Sequence, residues 1–202
     1  MYGKVGKQYL ANGAMGPFRL NTEGALVVSN YAGKYKEAVL QGRCYVVANQ
    51  AAVALTAAMA TTWTGLVVSN PVGSGINVVI LRFGYANTVL VPTATVIGLM
   101  TGVTPTAAID AALTPRNCMV GGVAGLARAD NTHDLTGGVP VLDRVFSTAG
   151  TVALTSSPNG VPQDIDLDGS IILPPGAYCA TYSFAANTAA WIFSFMWEEV
   201  PV

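Results

Sequence analysis

Asp164-Ile165-Asp166-Leu167-Asp168-Gly169 sets three carboxylates at every second position ahead of a glycine. This is the first half of a calcium loop, in which alternating acidic side chains converge on a hard cation and the glycine permits the sharp turn. The second half fails, because the position that should supply a bidentate glutamate is Pro175. Ile165 and Leu167 instead suit the dry side of a strand end whose wet side carries Asp164, Asp166 and Asp168. No metal site is assigned.

Acid–base and nucleophilic chemistry find little to work with. His133, in Asn131-Thr132-His133-Asp134, is the single imidazole, and Cys118 and Ser147 stand in no nucleophile context. Gly73-Ser74-Gly75 and Gly121-Gly122 read as turns and not as phosphate cradles. Cys44, Cys118 and Cys179 are odd in number and far apart, so buried thiols are expected in place of a disulfide framework. A zinc site would need all three thiols and His133 to converge. The reading is a non-enzyme without a cofactor.

The elements that could position a site are strands, and the chain is organised around the last of them. Trp191, Phe193, Phe195 and Trp197 alternate with Ile192, Ser194, Met196 and Glu198, a period of two that places every aromatic on one buried face. The opposite face, with Ile192, Ser194 and Met196, is too apolar for an ordinary wet face, and it is expected to meet another subunit. Before this strand, Pro174-Pro175-Gly176 turns the chain, and Asn187-Thr188 is expected to turn it again.

Earlier strands are expected at 43–48, 64–69, 76–85, 89–100, 141–148 and 151–155, and 51–62, whose alanines favour helix but whose Val and Thr favour strand, is also read as a strand. A helical turn is expected within 106–112 and a loop over 127–140. Many short strands without a long helix indicate an all-β sandwich, and a single domain spanning 38–202 suits a jelly roll better than an immunoglobulin module.

Charged residues are only 10% of the 202-residue chain, against about a quarter in ordinary globular proteins. Mean hydropathy is +0.46. So few charges imply that much of the surface is covered by copies of the chain or by a larger assembly. Through residue 43, Lys4, Lys7, Arg19, Lys34, Lys36 and Arg43 face Glu23 and Glu37; from Ala129 onward eight acidic residues face only Arg144. The first 37 residues, which also carry Tyr2, Tyr9, Phe18, Tyr31 and Tyr35, read as an extended N-terminal arm that orders on an acidic protein partner.

The basic residues are scattered without an aromatic platform, which argues against nucleic acid. No secretory leader is expected, since no basic stretch followed by an apolar run and a cleavage site is read here, and polar and glycine residues interrupt the uncharged run 44–81 too often for a membrane-spanning helix to be expected.

Gly65-Leu66-Val67-Val68-Ser69-Asn70-Pro71 with Gly73-Ser74-Gly75, Ile165-Asp166-Leu167-Asp168-Gly169 with Leu173-Pro174-Pro175-Gly176, and the closing Trp197-Glu198-Glu199-Val200-Pro201 resemble a group of tailed-bacteriophage virion proteins. The resemblance covers about residues 38–202. It implies a tumour-necrosis-factor-like jelly roll, often trimeric, of the head decoration (cement) or head-fibre type, and it brings no catalytic residues. The expected role is a homo-oligomeric cement protein on the outer surface of a phage head, whose arm (Lys4, Lys7, Arg19, Lys34, Lys36) grips the major capsid protein. The alternative is a head-fibre or receptor-binding module that recognises a host-surface glycan through an exposed aromatic such as Trp63, Tyr85 or Tyr182.

Overall fold

Six strands, the longest of them with inward-facing aromatics and aliphatics at alternate positions, build the first of two antiparallel sheets. In the computed structural model, residues 33–55, 62–89, 95–103, 113–134, 140–149 and 163–202 are described. By its contacts the chain divides into residues 1–37 and 38–202; every strand below lies in the second unit. The elements in order are α1 (Lys36–Leu40), β1 (Cys44–Ala48), β2 (Val53–Leu55), β3 (Thr62–Ser69), β4 (Ile76–Val89), β5 (Thr95–Val103), β6 (Arg116–Asn117), β7 (Arg128–Asp134), β8 (Val141–Ala149), β9 (Gln163–Leu173), β10 (Ala177–Ser183) and β11 (Asn187–Pro201).

Sheet 1 runs β6-β1-β11-β4-β9, with β2 also paired to β11; sheet 2 runs β7-β3-β10-β5-β8. The described strands of residues 38–202 form a β-sandwich. Its core joins Trp191, Phe193, Phe195 and Trp197 of β11 to Leu66 and Val68 of β3, Ile97 and Leu99 of β5, and Cys179 of β10. Phe83 of β4 sits at its centre, 5.0 Å from the Phe195 ring and 5.5 Å from Phe146, and Tyr45 stacks on Trp197 at 6.1 Å.

β4 obtains its inward set by breaking register. Ile80 pairs with Trp197 and Arg82 with Met196, so Leu81 is an extra residue. Ile76, Val78 and Ile80 before the bulge, and Phe83 and Tyr85 after it, therefore all face the core. The bulge continues into β9, where Ile171 opposes Ile80 and Asp166 opposes Arg82. The intervening chain turns through Asp168 at φ 52° and Gly169 at φ 73°.

Several expectations need correction. The tract 127–140, expected as a loop, contributes β7, because an edge strand needs few buried positions and here Ala129 and Asp130 supply them. Asn187 and Thr188 open β11, and the chain turns at 184–186 instead. Lys36 and Glu37, the last two residues of the expected extended arm, open the short helix α1. The expected helical turn at 106–112 and the strand at 151–155 lie outside the described residues.

Candidate interaction surface

The outer face of sheet 1 is the surface the sequence pointed to, and pairing registers fix its composition. Residues directly opposite in an antiparallel pair share a face, so one row runs Arg116, Val46, Met196, Arg82, Asp166 across five strands. The next row is Ala48, Ser194, Gly84, Asp164. Ile192 stands opposite Ala86 in a third. Thus Ile192, Ser194 and Met196 do share one outward face, with Ile192 and Val46 each 37% exposed. Small side chains keep its middle flat: a Cβ added at Gly84 would come within 2.5 Å of Ser194 Oγ.

Charge runs in one direction across this face. Its β9 side carries Asp164, Asp166 and Asp168, all exposed, and Arg82 pairs with Asp164 at 2.5 Å. The opposite side carries exposed Arg116, together with Arg43, which pairs with Glu198 at 2.9 Å.

One end of the sandwich is clamped by buried polar groups and is apolar outside. Glu199 accepts hydrogen bonds from the backbone N–H of Leu126 (2.9 Å) and of Ala127 (2.9 Å). Trp197 Nε1 donates to the same carboxylate at 3.4 Å. Asn117 donates from Nδ2 to the carbonyls of Gly42 and Val123 and accepts from the Met119 N–H. The loop so fixed presents Met119, Val120, Val123 and Leu126 outward, Val120 at 98% exposure.

Asn70, itself buried, donates to the carbonyls of Ile76 (2.7 Å) and Leu173 (2.9 Å) and accepts from Ser74 Oγ at 2.6 Å. The 69–75 turn and the 173–176 turn, distant in sequence, are thereby joined. Val202 N–H reaches Gly75 O at 3.1 Å, which brings exposed Val72 and Val202 to this end.

Burial pushes the Cys44 thiol up to about 11, with neighbouring Cys118 and Glu198 adding to the effect and Arg43 opposing it. Cys179 is raised further by the same cause, and Cys118 is raised as well. All three are free thiols. Asp164, Asp166 and Asp168 do not converge: among the described residues no group of three His, Cys, Asp or Glu is placed to hold a metal. Asp166 Oδ1 instead accepts the Asp168 N–H within the bulge.

Trp63 pairs by backbone with His133 across β3 and β7; their side chains lie outside the described residues. Tyr85 and Tyr182 are both buried. Neither offers the exposed ring a sugar would stack on, because parity turns Tyr85 inward beside Trp191 and Tyr182 packs with Val67, Met100 and Tyr178. Lys34 lies over the Tyr35 ring, 5.3 Å from its centroid, and Lys36 opens α1. Lys4, Lys7 and Arg19 lie outside the described residues.

A depression of about 290 Å³ opens where β5, β8, β9 and β10 end, lined by Thr101, Val103, Asp143, Ser170, Ile172 and Tyr178 among others. Asp143, 3.5 Å from Arg144, is its one carboxylate among the described lining residues. A lone carboxylate supplies half of an acid–base pair. Sequence reasoning missed both the clamped loop and the charge direction across sheet 1; strand parity combined with the net charges of the two chain ends was the available signal for the second.

Comparison with protein-family models, with curated proteins and with solved structures gives no match.

Proposed function

We propose that this chain is a self-associating structural protein of a tailed-bacteriophage virion, a capsid decoration (cement) protein that covers and stabilises the outer surface of the head. The observation that carries the reading is the outer face of sheet 1, where Ile192, Val46 and Met196 surround a flat centre in a chain with only 10% charged residues. Such a face loses less by meeting protein than by meeting water.

The finer fold assignment belongs to the same proposal. With β2, β6 and β7 set aside, the remaining eight strands in chain order form sheets 1-8-3-6 and 2-7-4-5. That alternation between sheets supports a jelly roll, and the tumour-necrosis-factor-like form of it associates as a homotrimer. The partner in the shell would be the major capsid protein, gripped by the basic arm with Lys4, Lys7, Arg19, Lys34 and Lys36. The clamped apolar end around Val120 is a second surface suited to the shell. Repetition over many copies would turn modest contacts into high avidity.

The test is the native mass of the purified chain over a range of concentrations, followed by binding to heads stripped of decoration. A trimer that rebinds heads is expected, and removal of residues 1–37 is expected to abolish rebinding while leaving the trimer. A monomer at high concentration, or full occupancy by the truncated chain, would overturn the self-association or the arm's role respectively.

A further inference from the structure

Cys44 and Cys118 meet across one edge of sheet 1. β1 and β6 pair Tyr45 with Asn117 and Val46 with Arg116, so the next step of the same antiparallel ladder sets Cys44 opposite Cys118. The Cys118 N–H donates to the Cys44 carbonyl at 2.9 Å, which extends the ladder to this pair. Towards β11 it is the Arg43 carbonyl that accepts, from the Glu199 N–H at 2.9 Å. Hydrogen bonding along a strand alternates between its two neighbours, so the Cys44 backbone is directed to β6 and its side chain shares a face with that of Cys118.

Residues paired in this way stand about 5.5 Å apart at Cα, inside the range of roughly 4.4–6.8 Å that a disulfide spans. Their Cβ atoms, about 5 Å apart, need to close by about an ångström to reach disulfide spacing. β6 is two residues long and lies at the end of the sheet beside β1, so it can supply that movement. Burial, and after it the proximity of Cys118, raises the Cys44 thiol; the two sulfurs are close enough to interact electrostatically. Cys179 has no part in the pair, because it lies in the core between the sheets, whereas Cys44 stands opposite Glu198 on the outer side of sheet 1.

We infer that Cys44 and Cys118 are a redox pair, free thiols in a reducing compartment that join in a cross-strand disulfide once the chain meets a low-molecular-weight disulfide. Cys118 is the partly exposed member and Cys44 the fully buried one, which fixes the order of events. The Cys118 thiolate attacks one sulfur of oxidised glutathione, the glutathione S–S bond breaks, and one glutathione leaves as a thiolate that takes up the proton Cys118 released. Cys44 then gives up its proton and attacks the Cys118 sulfur, and the second glutathione leaves and takes that proton. Two protein thiols and one glutathione disulfide become one protein disulfide and two glutathione thiols. Buried thiols are poor nucleophiles, so closure is slow near neutral pH.

The consequence falls on the loop that Cys118 begins. Its far end is held by Glu199, which accepts from the N–H groups of Leu126 and Ala127. A disulfide adds a covalent tie at its start, and the exposed apolar surface of Met119, Val120 and Val123 becomes fixed to β1. The inference stands on this pairing and does not need the self-association proposed above.

The experiment exposes the full-length chain, purified with its three thiols free, to millimolar oxidised glutathione. Peptide mapping after alkylation is expected to join the Cys44 and Cys118 peptides, to leave Cys179 as the remaining free thiol, and to show reversal by dithiothreitol. A link between residues so far apart in sequence is expected to raise the melting temperature by about 5 °C or more and to slow amide exchange over 118–127. Cys118→Ser is expected to lose both the crosslink and the rise, and Cys179→Ala to keep both, with the melting of each reduced variant reporting whether it folds. Glutathione retained on Cys118 beside a free Cys44, a link between the Cys118 residues of two chains, or three free thiols after prolonged exposure in mildly alkaline buffer would overturn the pairing. A crosslink that forms without changing melting or exchange would overturn its hold on the loop.

Discussion

β11 and β10 follow one another in the chain and occupy the middle of the two sheets, yet they solve burial differently. Along β11 every second residue from Trp191 to Trp197 is buried, and the residues between keep partial exposure. Along β10 all seven residues are buried, including Tyr178, Ala180 and Tyr182, whose side chains face away from the inter-sheet core and cluster with Val67 and Met100. A strand with one dry face writes a period of two into its sequence; a strand with two dry faces does not. Sheet 1 therefore keeps an open apolar face that can be assigned to a partner, while at the middle of sheet 2 the corresponding face is already closed.

The sharpest way to break this comparison is to truncate one side of β11 at a time. Trp197→Ala is expected to cost about 3–5 kcal/mol, the range for removing a large buried aromatic from a core, because its ring is fully buried and stacks on Tyr45. Met196→Ala, one residue earlier on the open face, is expected to cost less than about 1 kcal/mol in the isolated subunit. Chemical denaturation at low protein concentration would measure both. Equal losses would mean that the outer face is as closed as that of β10.

The difference between the strands also decides what could be read in advance. Trp191, Phe193, Phe195 and Trp197 announced β11, its buried side and its open side, because nothing interrupts their spacing. β4 was legible as a strand but not as to which residues face inward, since the extra Leu81 changes parity midway. β7, with Arg128, Asp130, Asn131 and Asp134 in a seven-residue run, lacks any apolar period and read as a loop. Turn motifs such as 173–176 were visible from Pro174, Pro175 and Gly176. That Asn70 ties this turn to the 69–75 turn was not, because a buried asparagine's partners are backbone carbonyls that carry no sequence signature.

A second substitution tests the closed face of sheet 2. Gly102 of β5 lies opposite Tyr178 of β10, and a Cβ there would come within 2.5 Å of the Tyr178 hydroxyl and 2.6 Å of its ring. Gly102→Ala is expected to destabilise by about 1–3 kcal/mol, the cost of overpacking a filled site. In a Tyr178→Ala background, where the ring no longer fills the space, Gly102→Ala is expected to cost little more. A double-mutant cycle by thermal or chemical unfolding measures the coupling. Independence of the two changes would mean that Tyr178 is free to move aside and that this face of β10 is less tightly filled than its burial implies.

The smallest effect separates a corner of sheet 1 that behaves like β10. Cys44 stands opposite Glu198 and so belongs to the outer face, yet it is fully buried, beside Cys118, whose N–H donates to the Cys44 carbonyl at 2.9 Å. Its thiol is raised from 9.0 to about 11, chiefly by burial. Raising the folded value of an acid favours its neutral form, so Cys44 leaves stability unchanged below pH 9, where the thiol is protonated in both states. Between pH 9 and about 11 the unfolded chain releases this proton and the folded chain does not, so stability falls as pH rises. At pH 10 the loss from this group is about 1 kcal/mol, and denaturant titration of the wild type against Cys44→Ala isolates it. Thiol labelling of the native protein gives the same answer by rate: Cys44 is expected to react slowly at pH 8 and to speed up when Glu199→Gln loosens the loop that begins at Cys118. Rapid labelling of Cys44 in the wild type at pH 8 would show that the loop opens readily, and this corner would then belong with the open face of β11.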